Sequence, residues 1–323
     1  MIVHAGLTGA FPRTEGLVRA TRDLDRGRAS PDSVEALFRT SELEVVALER
    51  RLGFSTVTAG YLRWPDLFRA FAETWEGFSV GPLTRWFETN TFYRQPVLFS
   101  PPLRVPGAFA ARIPAPLRAE PASARILLPG PYTFAGLLEN RSGETDSALV
   151  HRLGRLLADE VRELRGLGFS TFQFTEPLLV VRPPDGPHAE AVVEAYGSIS
   201  KALHGGTSIV WTFGKDALPA LRILDRLPAS VVGIDLADTD VDRLPAGGQV
   251  PALGLGVLDP RTTLPEDPAE VVRVVRVAAE RRGAKTVWLG PGASLDLLPP
   301  EPATRKLEVL STVQRTLSEG GKP

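Results

Sequence analysis

The sequence contains no cysteine. That absence excludes disulfide bonds, a thiol nucleophile and every cysteine-bearing zinc centre. Methionine occurs once, at the first position, and lysine only at 201, 215, 285, 306 and 322, so arginine carries nearly all the positive charge. Base composition and a hot habitat both produce such a bias. Neither sign of charge is in excess: 37 Lys+Arg against 38 Asp+Glu give a net charge of −1. Without a long basic run the chain lacks the means to neutralise a phosphate backbone, so no nucleic-acid partner is expected. No stretch approaches the ~20 consecutive apolar residues of a membrane span, and the opening MIVHAGLTGAFPR has neither a basic nor an apolar leader region. A cytoplasmic protein with no membrane partner is expected. The four histidines, His4, His151, His188 and His204, form no HxH, HExxH or HxC spacing and read as structural or solvated. LPGPYTF and LGLGVLD carry glycines without a phosphate-cradling pattern.

What is present is a repeating alternation. Short apolar, β-rich runs at 2–7, 55–60, 125–130, 171–177, 208–214, 231–236, 252–259 and 286–291 are separated by segments whose apolar residues recur at i, i+3, i+4 and i+7. Continuous apolar runs such as RILLPG, SIVWTF and SVVGIDL suit strands buried on both faces of a parallel sheet. Ser30 before Pro31 and Asp267 before Pro268 each offer an N-cap oxygen followed by a proline at N1. Gly53, Gly168 and Gly283 stand where helices end and strands begin. The pattern predicts an α/β fold, a single (β/α)8 TIM barrel over 1–317, with 318–323 as a disordered tail. The stretch between the second and third strands is too long for a βα connection and predicts a hairpin excursion, about 83–122, followed by an irregular strap.

Barrel enzymes place their chemistry at the C-terminal ends of the strands. Glu176, Asp235 and Asp259 occupy such positions, with Arg261 close by, and are the candidate catalytic or binding carboxylates. A self-satisfying polar network is the competing reading. On the excursion, Trp86, Asn90, Tyr93 and Arg94 have the composition of an interface hot spot. If the segment is an extended ribbon, Trp86, Glu88, Asn90 and Phe92 alternate with Phe87, Thr89, Thr91 and Tyr93, so both faces carry aromatics. One face is then expected to meet another chain, with Trp86 or Tyr93 as anchor; the alternative is a plug for its own barrel.

Six landmarks, GAFPRTEGLVRATRDLDRGR, GPLTRWFETNTFYRQPV, LPGPYTF, FQFTEPLL, GVLDPR and LGPGASLDLLP, resemble in order those of cobalamin-independent methionine synthase, a zinc methyltransferase built from two related barrels. WFETN and the GASLDLLP ending are similar to signatures of the N-terminal barrel, and the length resembles the archaeal chains that carry one barrel alone. In the family's catalytic barrel, zinc is held by a histidine and a cysteine two residues apart, a glutamate on the next strand and a second cysteine near the last. By landmark these fall on Trp211, Phe213, Asp235 and Ala293, so the resemblance implies that no zinc is held here. The family's aspartate that holds the homocysteine amino group falls on Thr175. Two cationic positions that meet the folate tail fall on or near Glu15 and Val18, leaving Arg13, Arg19, Arg22 and Arg85 as possible substitutes. Zinc lowers the thiol pKa of homocysteine. The expected role is therefore an accessory component of methionine biosynthesis that works with a separate zinc-bearing catalytic chain, holding no cofactor itself beyond a possible folate or pterin-like methyl donor. Two alternatives stand beside it: a stand-alone barrel enzyme with another small-molecule activity, and a pure donor-binding module.

Overall fold

The computed structural model describes residues 1–87, 91–248 and 251–320. Seven parallel strands form a curled sheet in the order β1-β10-β9-β8-β7-β6-β4. They are β1 (Ile2–Ala5), β4 (Arg125–Pro129), β6 (Thr171–Thr175), β7 (Thr207–Trp211), β8 (Val231–Asp235), β9 (Ala252–Leu258) and β10 (Thr286–Pro291). A smaller sheet joins β2 (Glu76–Arg85), β3 (Phe92–Leu103) and β5 (Glu139–Asn140). β4, β6, β8 and β9 are buried at every position, as strands covered by helices outside and by side chains inside must be.

The expected second strand at 55–60 does not form as a regular strand. Its segment closes the barrel between β1 and β4, but through a single parallel bridge between Val57 and Ala124. The Ser55 N–H donates to Ala5 O, the Val57 N–H to Ser123 O and the Arg125 N–H to Val57 O. Beyond Val57 the chain leaves the strand because the buried Glu49 carboxylate takes the Thr58 N–H through both oxygens, the Thr58 hydroxyl and the Ala59 N–H. The backbone then turns through three left-handed residues, Ala59, Gly60 and Tyr61.

The long helices start and stop where the caps predicted. Ser30 Oγ accepts from the Ser33 N–H at the head of Pro31–Arg51, and Asp267 accepts from the Ala269 N–H at the head of Pro268–Arg282. Gly53, Gly168 and Gly283 all have positive φ. The final helix, Pro300–Ser318, takes in the first residue of the expected tail. Residues 321–323 of that tail lie outside the described residues.

The excursion is a true antiparallel hairpin, but it starts at Glu76, ahead of the expected position 83, and β3 runs to Leu103. The strand phase slips between Val80 and Leu83, where Gly81 and Pro82 interrupt regular pairing. Inside the barrel, Ile209, Trp211, Val231, Ala252 and Trp288 form an apolar cluster separate from the main core, which fills the space between sheet and helices.

A carboxylate mouth above a tryptophan-filled barrel

Strand parity decides which side chains enter the barrel. On β6, Gln173 reaches inward, its amide donating to Thr8 O and its carbonyl accepting from Arg125 Nη1. Thr175, two residues on, therefore also faces inward, one layer nearer the mouth. The same period takes β7 from Ile209 to Trp211 and β8 from Val231 through Gly233 to Asp235. Lower in the barrel, the fully buried Arg125 stacks on Trp288 at 5.2 Å, and His4 lies against the same indole at 4.4 Å.

Trp211 fills the layer below the mouth. It is 1% exposed, and its indole Nε1–H donates to Gly292 O at 2.9 Å. The ring fits only because its neighbours have no side chains. A Cβ at Gly233 would lie 2.8 Å from Trp211 Cδ2, and one at Gly254 would lie 2.8 Å from Cζ3, well inside carbon contact distance.

Above this floor stands Asp235, 4% exposed, whose Oδ1 accepts from the Ala237 N–H at 2.9 Å. Burial pushes its pKa up to about 7, with the Ala237 bond opposing and the nearby Asp238 adding to the rise. Arg261 clamps the next two acids: its Nη1 donates to Asp238 at 2.7 Å and its Nε to Asp259 at 2.8 Å. For Asp259 the burial penalty is outweighed by the Arg261 side-chain and backbone bonds, so its pKa is lowered. The Asp259 N–H donates to Glu266 Oε1, which also accepts from the fully buried Lys306 ammonium at 2.6 Å. Asp235, Asp259 and Arg261 thus share one acidic rim. Asp238, Glu266 and Lys306 complete it, and sequence reasoning missed them. Thr175 contributes a buried hydroxyl with no hydrogen-bond partner among the described residues.

Glu176 belongs to a different structure. It is fully buried, and its carboxylate receives the N–H groups of Tyr132 and Thr133, the Thr133 hydroxyl and the Tyr196 hydroxyl. Burial pushes its pKa up to about 7 against those bonds. It ties the start of the helix Pro131–Leu137 to β6 and to the helix Gly186–Leu203, and every one of these partners is part of the scaffold.

The excursion residues divide as follows. Tyr93 is 3% exposed, and its hydroxyl donates to Leu137 O at 2.7 Å. Trp86 and Tyr93 meet edge to face at 5.5 Å, and both rings lie against the buried Phe68. The expectation that Trp86 or Tyr93 anchors a partner is therefore corrected: both pack against their own barrel. Arg85 pairs with Phe92, and the Trp86 N–H donates to Thr91 O, so the chain reverses within 86–93 and the single-ribbon alternation on which that expectation rested does not hold. Asn90 lies outside the described residues. Arg94 is exposed, with its backbone N–H on Asp66. Arg13 Nε donates to Leu62 O at 2.7 Å, and its guanidinium lies over Phe38. Arg19 makes only an exposed ion pair with Glu15. Neither joins the acidic rim.

A barrel closed by helices, with ionisable groups gathered at the C-terminal ends of its strands, is of the class that carries enzyme sites. Residues 69–282 match the family described as cobalamin-independent synthase, N-terminal domain, and the chain belongs to that family. A methionine synthase from Sulfolobus acidocaldarius is 22% identical over 98% of this chain and 92% of its own length. One from Saccharolobus solfataricus is 26% identical over 93% of this chain and 90% of its own. A 5-methyltetrahydropteroyltriglutamate–homocysteine methyltransferase from Nitratidesulfovibrio vulgaris is 31% identical over 71% of this chain, which spans 32% of that longer protein. In fold, the chain is similar to a B12-independent methionine synthase from Shewanella, with a TM-score of 0.73 at 14% identity over 98% of both chains.

The zinc of the family's catalytic barrel does not fit the residues found here. An indole N–H is a donor without a lone pair to offer, and that of Trp211 is already committed to Gly292 O. Phe213 and Ala293 have no ligating atom, which leaves Asp235 alone. Among the described residues no group of three or more His, Asp or Glu side chains is placed to hold a metal ion, and no helix is long and apolar enough to cross a membrane.

Proposed function

We propose that this chain is a zinc-free barrel acting in methyl transfer to homocysteine in methionine biosynthesis, as the accessory or donor-binding component of a separate zinc-bearing catalytic chain. The observation that carries this reading is Trp211. Its ring occupies the layer under the mouth, its N–H is spent on Gly292 O, and Gly233 and Gly254 are cut to its shape. Methyl transfer to homocysteine sulfur needs a thiolate, and zinc is how the family makes one at neutral pH. A barrel filled in this way supplies no ligand set for that task. The names of the relatives support the methyl-transfer setting; the partner chain rests on this chain's own residues. The chain holds no cofactor of its own in this reading, and any small ligand is a folate or pterin-like donor.

The test is to purify this chain and a zinc-bearing single-barrel homologue from the same cell, and to assay methyl transfer from 5-methyltetrahydropteroyltriglutamate to homocysteine with each alone and with both. Activity that rises only when both are present supports the reading. Activity from this chain alone refutes it.

A second reading, a stand-alone enzyme acting on another small molecule, is favoured by one observation. Asp235 is a nearly buried carboxyl at the mouth whose pKa is pushed to about 7, the range in which a general base is most effective. Asp259 and Arg261 would then bind and orient, while Glu176 holds the scaffold. Loss of a newly found activity in Asp235→Asn, with folding intact, would support it.

A further inference from the structure

Arg125 opens β4 and points into the barrel, where it is 1% exposed. Burial lowers its pKa only to about 10, so it stays charged at neutral pH. Its Nε donates to Thr56 Oγ1 at 3.0 Å, and its Nη1 to Leu7 O at 3.0 Å and Gln173 Oε1 at 3.3 Å. All three acceptors are neutral. Nη2 carries two more N–H groups and has no hydrogen-bond partner among the described residues. The carboxyl whose charge reaches Arg125 is Glu49, which makes no ion pair with it and is committed to the Thr58 and Ala59 N–H groups and the Thr58 hydroxyl.

The aromatic groups beside this cation add donors and no negative charge. Neither the Trp288 indole N–H nor the His4 ring makes a hydrogen bond among the described residues, although both rings lie in the stack with Arg125. Burial and the Arg125 charge lower the pKa of His4, so its imidazole is neutral. Solvent approaches this layer from the N-terminal end of the strands. Ile2, which shares the inward parity of His4, is 60% exposed, and Thr286 beside it and Thr207 are half-buried. A buried cation that meets only neutral acceptors is costly to hold, and unspent N–H groups on it add to the cost. We propose that the lower barrel binds a small monoanion, of the size of chloride or formate, at Arg125 Nη2. One unpaired guanidinium selects a single negative charge. The space is limited on the β1 side, where a Cβ at Gly6 would lie 2.9 Å from Nη2. The site lies below Trp211, apart from the acidic rim, and does not rest on the methyl-transfer reading.

The test follows the melting temperature of the whole chain by circular dichroism as chloride, or formate, replaces the bulky anion gluconate at constant ionic strength. A ligand that binds only the folded state raises the melting temperature with the logarithm of its concentration once it exceeds its dissociation constant. That rise is expected in the wild-type protein. It should be absent in Arg125→Met, which removes the charge. In Gly6→Ala, which keeps the charge and crowds Nη2, it should begin at concentrations about tenfold higher or more. Gly6 is not in the left-handed region, so this variant decides the matter alone if Arg125→Met does not fold. Bromide soaked into crystals of the wild-type protein should give an anomalous peak within hydrogen-bond distance of Arg125 Nη2. No preference for chloride or formate over gluconate would mean that water serves Nη2, and would overturn the proposal. The same rise in all three proteins, or a bromide peak only elsewhere, would place the anion at another site and overturn it as well.

Discussion

Replacing Gly233 by alanine places a methyl group where the Trp211 ring already is. The new Cβ would lie 2.8 Å from Trp211 Cδ2, about 1 Å closer than carbon atoms tolerate. The ring is held in place because its N–H is bound to Gly292 O, while Gly233 and Gly254 both crowd its Cζ3 side. Overpacking of this kind costs about 1–3 kcal/mol, and the upper half of that range is expected. Gly233 lies in a strand and not in the left-handed region, so once the ring is gone alanine should be neutral or gain about 0.5–1 kcal/mol over glycine. A cycle of Gly233→Ala, Trp211→Leu and the double variant, followed by circular dichroism in urea, should therefore show Gly233→Ala destabilising in one background and neutral or stabilising in the other. The coupling should be on the order of 2 kcal/mol. If the two changes add to within ~0.5 kcal/mol, the ring is not locked by glycine, and the argument that tryptophan has closed this layer of the barrel fails.

Four further outcomes are expected. Asp235 should titrate with a midpoint near 7 by carboxyl-carbon NMR. Its folded pKa lies above the unfolded value, so it weakens the fold as pH rises from about 4 to 7, and Asp235→Asn should flatten that part of the profile; a midpoint near 4 would contradict the burial argument. Tyr93→Phe should cost about 1 kcal/mol through the lost bond to Leu137 O, and Tyr93→Ala about 3–5 kcal/mol. If Tyr93→Ala left stability unchanged while weakening partner binding, the ring would be a docking anchor after all. Lys306→Met should cost about 3–5 kcal/mol by stranding Glu266, with most of that restored in Lys306→Met/Glu266→Gln by the same urea measurement. Elemental analysis should find far less than one equivalent of zinc, and chelators should leave the melting temperature unchanged; tightly bound stoichiometric zinc would show that the landmark positions are misaligned.

The barrel was legible because strands buried on both faces leave continuous apolar runs, and because Ser30, Asp267, Gly53, Gly168 and Gly283 mark helix ends through local chemistry. The second strand misled for a reason that local pattern does not carry. STVTAG has strand composition, but a carboxylate from the preceding helix, Glu49, takes the N–H groups of Thr58 and Ala59. The hairpin residues were found, but their facing was not, since the reversal between the paired Arg85 and Phe92 falls inside the run read as one ribbon and brings Trp86 and Tyr93 to the same side. At the mouth, strand-end position singled out Asp235 and Asp259, which lie near each other on one rim. It did not reveal that Glu176 turns away into the scaffold, because the same position on a strand serves both fates. Asp238, Glu266 and Lys306 had no motif of their own; their grouping exists only in three dimensions.

The clasp made by Glu49 has a consequence for how the molecule breathes. Most neighbouring strands in the sheet are held by whole ladders, but β1 and β4 are joined across 55–57 by a few backbone hydrogen bonds, by side-chain bonds from Arg125 to Thr56 and Leu7 and from Tyr61 to β4, and by the turn that Glu49 holds at Thr58 and Ala59. Amide protons in this seam should exchange with solvent through local openings well before those of β6 to β9. Burial pushes the pKa of Glu49 up to about 7, above its unfolded value, so an opening that wets the carboxyl is opposed while it is protonated and favoured once it ionises. The seam should therefore loosen first as pH rises from about 4.5 to 7, parting the cylinder along one line while the opposite wall stays shut.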